Sequence, residues 1–289
     1  MTQARRAGWP LWARVASGFG AFFALLTIIW LGTPLILPLI VALSLVGLLE
    51  FAAMLRLLGL LVHRTTMLVV TVLLVPAMLP PGHRLQPLPE AWVWSREAVL
   101  LGFAFVVFAF ATRRPHRNAA STVAFRILGF IWIPLFFSFA VDVREIPDVG
   151  FAAALLTALA VVASDVGEFV AGRVWGRHKL APDVSPDKTV EGAIGGVVLA
   201  LVVSVVTTEL LLLAGTPTPF RSGLAALFGV TVATAGQVGD LFESLIKRWV
   251  GVKDAGVFLP GHGGVLDRVD SHLMGIPVAW VFLSLAGVA

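Results

Sequence analysis

Two polar segments hold the residues whose types and spacing could do chemistry. In the later one, Asp240, Ser244 and Lys247 follow Gln237 at offsets of 3, 7 and 10. On a helix these share one face, with Glu243 beside them. Arg248 and Lys253 come next, then Pro260-Gly261-His262-Gly263-Gly264, Asp267, Arg268, Asp270 and Ser271. In the earlier segment Asp165 and Glu168 stand three apart, again on one helical face, followed by Arg173, Arg177, His178 and Lys179 and by Ser185-Pro186-Asp187-Lys188-Thr189. Carboxylates grouped without Cys or His partners suit hard cations such as Mg²⁺, with Asp165, Asp240, Glu243 and Asp267 as candidate ligands. Lys247, Arg248, Lys253 and Arg268 suit phosphate oxygens. Gly263 and Gly264 let backbone N–H groups approach an anion closely, and His262 between glycines is a further candidate for contact with it. Arg173, Arg177 and Lys179 suit either lipid headgroups or simple membrane anchoring, and His178 either a site or an interfacial role. Acid, base and glycine in this grouping is the composition of a metal-assisted phosphoryl or nucleotidyl transfer site.

The elements that must position these residues are membrane helices. Of 289 residues, 58% are hydrophobic and only 13% are charged, against about 25% charged in soluble domains. So few charges exclude a soluble enzyme, and the basic residues are too sparse and scattered for a nucleic-acid partner. Cys is absent, which removes disulfides and thiolate chemistry. The charge-free run from Val15 to Leu49 is roughly 52 Å long as one helix, so it divides at Gly32-Thr33-Pro34 into spans at 15–31 and 34–55. Further spans are expected at 65–80, 98–112, 123–141, 149–171, 192–213, 224–246 and 273–289, giving an all-α polytopic protein of about nine helices, with eight or ten as alternatives. Arg5, Arg6 and Arg14 precede an apolar stretch with no cleavage-site pattern, so the first span is expected to be uncleaved. With nine spans, one face collects 17 Lys and Arg and the other only 4, which predicts a cytoplasmic N-terminus and puts both polar segments on the cytoplasmic side. No internal repeat or linker divides the chain, so 1–289 reads as one membrane domain. Residues 1–150 would be scaffold, with Glu50, Arg56 and Arg64 snorkelling at helix ends and Pro80-Pro81-Gly82 marking an external loop. Residues 151–289 would be the catalytic portion.

Ser244-Leu-Ile-Lys-Arg … Lys253-Asp254 … Leu-Pro-Gly-His-Gly-Gly-Val-Leu-Asp-Arg-Val-Asp270 closely resembles the signature of phosphatidate cytidylyltransferases, the CDP-diacylglycerol synthases. Gly172-Arg-x-x-Gly-Arg-His-Lys-Leu180 and Ser185-Pro-x-Lys-Thr-x-Glu-Gly192 look like the same family, so the resemblance covers about 164–272. It implies a polytopic inner-membrane enzyme that joins CTP to phosphatidic acid, releasing pyrophosphate, with Mg²⁺ and a second, monovalent cation such as K⁺. It makes Asp240 and Asp267 the foremost metal ligands and Lys247, Arg248, Lys253 and Arg268 the phosphate holders, with Ser185, Lys188 and Thr189 lining the same cavity. A homodimer is an open assembly state. The sequence departs from the pattern at Glu168, Phe169 and Asp187, which makes the cavity more acidic and leaves another lipid phosphate open as acceptor. Two other activities remain to be separated by experiment: a CTP-dependent lipid kinase, and a cation transporter built on the intramembrane carboxylates.

Overall fold

A left-handed Gly32 (φ 84°) ends α1 (Leu11–Leu31) and Pro34 opens α2 (Thr33–Leu57), so the chain reverses where the sequence predicts. The computed structural model describes residues 11–60, 64–77, 79, 96–113, 118–256 and 263–289. Arg5, Arg6, the expected loop at Pro80-Pro81-Gly82, and His262 lie outside them. Next come α3 (Arg64–Ala77) and α4 (Arg96–Arg113). Then α5 (Ala119–Phe130) passes through a π-helical turn, Ile131–Leu135, into α6 (Phe136–Arg144). That turn contains Pro134, whose missing N–H and ring are accommodated by the wider winding. The second half is α7 (Gly150–Trp175), α8 (Val190–Leu213), α9 (Ser222–Val250) and α10 (Leu266–Leu285). Within the described residues, each apolar stretch expected from the sequence falls on a helical segment. Among the described residues, five segments are long and apolar enough to cross a membrane: Thr33–Leu57, Ala119–Arg144, Gly150–Trp175, Val190–Leu213 and Ser222–Val250.

The fold is not purely helical. Between α7 and α8, β1 (Lys179–Ala181) pairs antiparallel with β2 (Ser185–Thr189), Lys179 facing Thr189 and Ala181 facing Ser185. The hairpin leads straight into α8, whose N-cap Thr189 accepts the N–H of Gly192 at 3.1 Å.

Helices α7 and α8 touch backbone to backbone. A Cβ on Gly167 would sit 2.7 Å from the Gly195 carbonyl oxygen, and one on Gly196 2.7 Å from the Ser164 carbonyl oxygen. Gln237 of α9 closes this junction, its Nε2 donating to Ser164 Oγ (3.2 Å) and to the Ala193 carbonyl (3.0 Å). Two larger apolar cores flank it. One joins α2, α3, α4, α9 and α10 around Phe51, Trp132 and Leu266; the other joins α6, α7, α9 and α10 around Leu156, Phe228 and Val232. At the far end of the bundle Arg96 pairs with Asp142, Arg144 Nε donates to the Ile29 carbonyl (3.1 Å), and Ser222 meets Glu209. The packing thus gathers the C-terminal ends of α7 and α9, the N-terminal end of α10 and the hairpin at one end.

Candidate functional site

Those four pieces enclose a cavity of about 590 Å³. Asp165, Glu168 and Arg173 enter from α7, Asp187, Lys188 and Thr189 from β2, Asp240 and Lys247 from α9, and Asp267, Arg268, Asp270 and Ser271 from α10. Helical periodicity explains the convergence, since each helix supplies residues three, four or seven apart from one face.

Two ammonium groups organise the interior. Lys188 Nζ lies 2.8 Å from Glu168 Oε1 and 2.8 Å from Asp240 Oδ2, so one lysine joins α7 to α9. Burial opposes its charge, but Asp240 and Glu168 outweigh that and hold its pKa above the ordinary lysine value. Lys247 Nζ lies 2.5 Å from Glu243 Oε2 and 2.7 Å from Asp267 Oδ1. Asp267 is also a loop anchor: its carboxylate accepts the N–H of Ala255 (2.9 Å) and of Gly264 (2.8 Å). Asp165 Oδ1 accepts from Ser271 Oγ at 3.1 Å, and Asp270 Oδ1 from the Ser271 N–H at 2.8 Å.

Of the residues expected from the sequence, Asp165, Arg173, Lys188, Thr189, Asp240, Lys247, Asp267 and Arg268 line the cavity. Glu243 does not; its side chain is fully buried behind Lys247. Arg248 turns outward and donates to the Val184 carbonyl at 3.1 Å, clasping the hairpin tip. Gly263 and Gly264 shape the Asp267 turn behind the wall, Gly263 with φ 84°. Lys179 and Ser185 belong to the hairpin and Lys253 to the exposed loop after α9, none of them lining the cavity. His178 is directed to Glu191, 2.6 Å away, on an exposed surface.

Three contributors carry weaker signals in the sequence. Asp270 and Ser271 line the cavity, and their signal was the helical spacing from Asp267. Glu50, expected to snorkel at a helix end, is instead buried, with carboxylate oxygens accepting the N–H groups of Val265 (3.0 Å) and Leu266 (2.8 Å). It satisfies the open N-terminus of α10, a role that no local pattern around residue 50 announces.

The donor set fits a hard divalent cation. Six carboxylates line the cavity against four basic side chains, and all prospective donors are oxygens. Behind this wall the buried Glu243 carboxyl meets both Lys247 and the Asp270 carboxyl, so acidic groups crowd this end of the site. Among the described residues no three metal-ligating side chains converge as a ready-made centre; lysines stand between the carboxylates.

Residues 12–286 match the Cytidylyltransferase family. The chain is similar to the phosphatidate cytidylyltransferase of Bacillus subtilis, at 39% identity over 163 residues, covering 56% of this chain and 59% of that protein. It is similar to that of Mycobacterium bovis at 37% over 168 residues, 58% of this chain and 53% of the relative. With that of Staphylococcus saprophyticus it shares 34% over 186 residues, 64% of this chain and 68% of the relative. The chain thus spans less than two thirds of the length of the first two.

Proposed function

The chain belongs to the cytidylyltransferase family, and from that premise we propose that it transfers the cytidylyl group of CTP to phosphatidic acid, giving CDP-diacylglycerol and pyrophosphate. The observation that carries this reading is the pair of shared lysines, each set between two carboxylates, in one cavity that also receives Arg173 and Arg268. Such a site suits two polyanionic reactants: basic groups meet phosphates, and the excess of carboxylates suits the metal that accompanies a nucleotide.

In the proposed reaction a phosphate oxygen of the lipid attacks the α-phosphorus of CTP. The new P–O bond forms as the bond to the β-phosphate oxygen breaks, and the electron pair leaves with pyrophosphate. The attacking oxygen is already anionic near neutral pH, so no strong general base is required. The barrier is charge repulsion and alignment. Lys188 and Lys247, fixed by their carboxylates, would present ammonium charge to the phosphates, and Arg268 and Arg173 would extend that field. Mg²⁺, for which Asp165, Asp240 and Asp270 are the cavity-lining ligands proposed, would supply further neutralisation of phosphate charge; K⁺ is the expected second cation. Asp267 would act chiefly by holding Lys247 and the turn at Gly264.

The proposed setting is a bacterial-type inner membrane. Nine helical segments would cross it, counting Ala119–Arg144 as one, with the N-terminus and the cavity on the cytoplasmic side, as the 17-to-4 distribution of Lys and Arg supports. CTP would then enter from water and the lipid from the bilayer. The test is incubation of the purified protein with CTP, Mg²⁺ and a panel of lipid phosphates, with products identified by mass. CDP-diacylglycerol and pyrophosphate are expected. Release of CDP with a newly phosphorylated lipid would replace this reading with a kinase, and nucleotide-independent cation flux without product would replace it with a transporter.

A further inference from the structure

Deeper in the bundle than the polar cavity lies a second, apolar one of about 440 Å³. Its walls come from α1 (Leu25, Ile28), α2 (Leu39, Leu43), α6 (Phe137), α7 (Ala154, Ala158) and α10 (Val269, Ile276). Two polar residues stand out among them. Arg268 lines both cavities, so the two adjoin at that side chain. One turn further along α10 is His272, whose Nδ1 is buried and has no hydrogen-bond partner. A buried imidazole nitrogen without a partner, on a ring that lines an apolar space, costs free energy unless something polar arrives there.

We propose that this cavity holds one acyl chain of the lipid substrate, with His272 hydrogen-bonding the ester carbonyl at the head of that chain. This rests on the lipid-phosphate reading of the polar cavity. The order of groups along α10 matches the order of groups in a phosphatidate. Arg268 stands at the phosphate level, His272 roughly 6 Å further in at the ester level, and Ile276 another 6 Å along the chain, by the helical rise of about 1.5 Å per residue. The volume falls within the range of ligand sites, roughly 300–1,000 Å³. The apolar walls suit methylenes, and the lone unpartnered nitrogen suits one carbonyl. In its Nδ1-protonated tautomer His272 donates to that oxygen, and the chemistry requires an ester: an ether-linked chain offers no carbonyl.

Photocrosslinking of the intact protein tests the location. Phosphatidic acid carrying a diazirine in one acyl chain is reconstituted with the wild-type chain, irradiated, and the adducts are mapped by mass spectrometry. Adducts on Ala154, Ala158, Leu43 or Ile276 are expected. Adducts confined to the bilayer-facing side chains of α8, such as Val198 and Val202, would overturn the proposal whether or not the protein turns over. Selectivity tests the two contacts. Ala158→Leu fills the cavity, so kcat/KM for long-chain phosphatidate should fall at least tenfold relative to a six-carbon analogue. His272→Ala should erase a preference for ester-linked over ether-linked phosphatidate. Product formation with both profiles unchanged would refute the acyl-chain site while leaving the transferase reading intact. Absence of CDP-lipid from every lipid phosphate, with crosslinks inside the cavity, would refute the transferase reading and keep the chain-binding site.

Discussion

Removing the carboxylate of Glu50 should disable a site to which it contributes no lining atom. Its two oxygens take the N–H groups of Val265 and Leu266, and the backbone closes tightly around it. A Cβ on Gly256 would sit 2.4 Å from Oε1 and one on Gly264 2.7 Å from Oε2. Hydrogen bonds to a carboxylate contribute about 1.5–3 kcal/mol each, so Glu50→Ala should cost about 3–6 kcal/mol, most of it as two buried donors left unmet. At about 2–4 °C per kcal/mol, the lower figure already lowers the unfolding midpoint by about 6 °C. Glu50→Gln keeps one acceptor oxygen but turns an amide N–H toward the second donor, so it should lose about half as much. Asp267, Arg268 and Asp270 all ride on the α10 turns that Glu50 secures, so turnover should fall with stability. The assay is intrinsic tryptophan fluorescence during thermal unfolding in detergent, beside CDP-lipid formation on the same samples. A Glu50→Ala protein that unfolds with the wild type and retains full turnover would refute the capping role.

Asp240→Asn removes the charge that faces Lys188 across 2.8 Å and a proposed metal ligand; turnover should drop by about 100- to 1,000-fold while the protein still inserts, as checked by product mass and gel filtration. Asp267→Asn should lose both turnover and thermal stability, because it releases Lys247 and weakens the anchorage of Ala255 and Gly264 together; a change in only one of the two measurements would separate the roles. Gly167→Val drives a side chain into the backbone of Gly195 and Gly196, so it should destabilise by about 1–3 kcal/mol or more in thermal unfolding, with residual activity per folded molecule preserved.

Much of the cavity was legible because its residues are periodic along single helices. Asp165 with Glu168, Asp240 with Lys247, and Asp267 with Asp270 are each readable as one face before any tertiary contact is known. What the spacing does not encode is which of two neighbouring carboxylates points into the space. Asp240 and Glu243 are three apart on α9, yet Asp240 lines the cavity and reaches Lys188, while Glu243 is sealed behind Lys247, which bridges it to Asp267 of α10. Arg248 looked like a phosphate holder by composition, but it lies past the turn that faces the cavity and clasps the hairpin instead. Glu50 was hidden for a deeper reason: its partners are more than 200 residues away, and a lone carboxylate at a helix end carries no local sign of the helix terminus it will meet. That contact joins the halves of the chain. The first half looks like plain apolar scaffold, but α2 holds the first turn of α10 in place, and α1, α2 and α6 wall the apolar cavity that Arg268 connects to the polar one. The first half therefore fixes how deeply Asp267 and Arg268 sit, and under the proposed reaction it governs where the lipid phosphate meets the nucleotide.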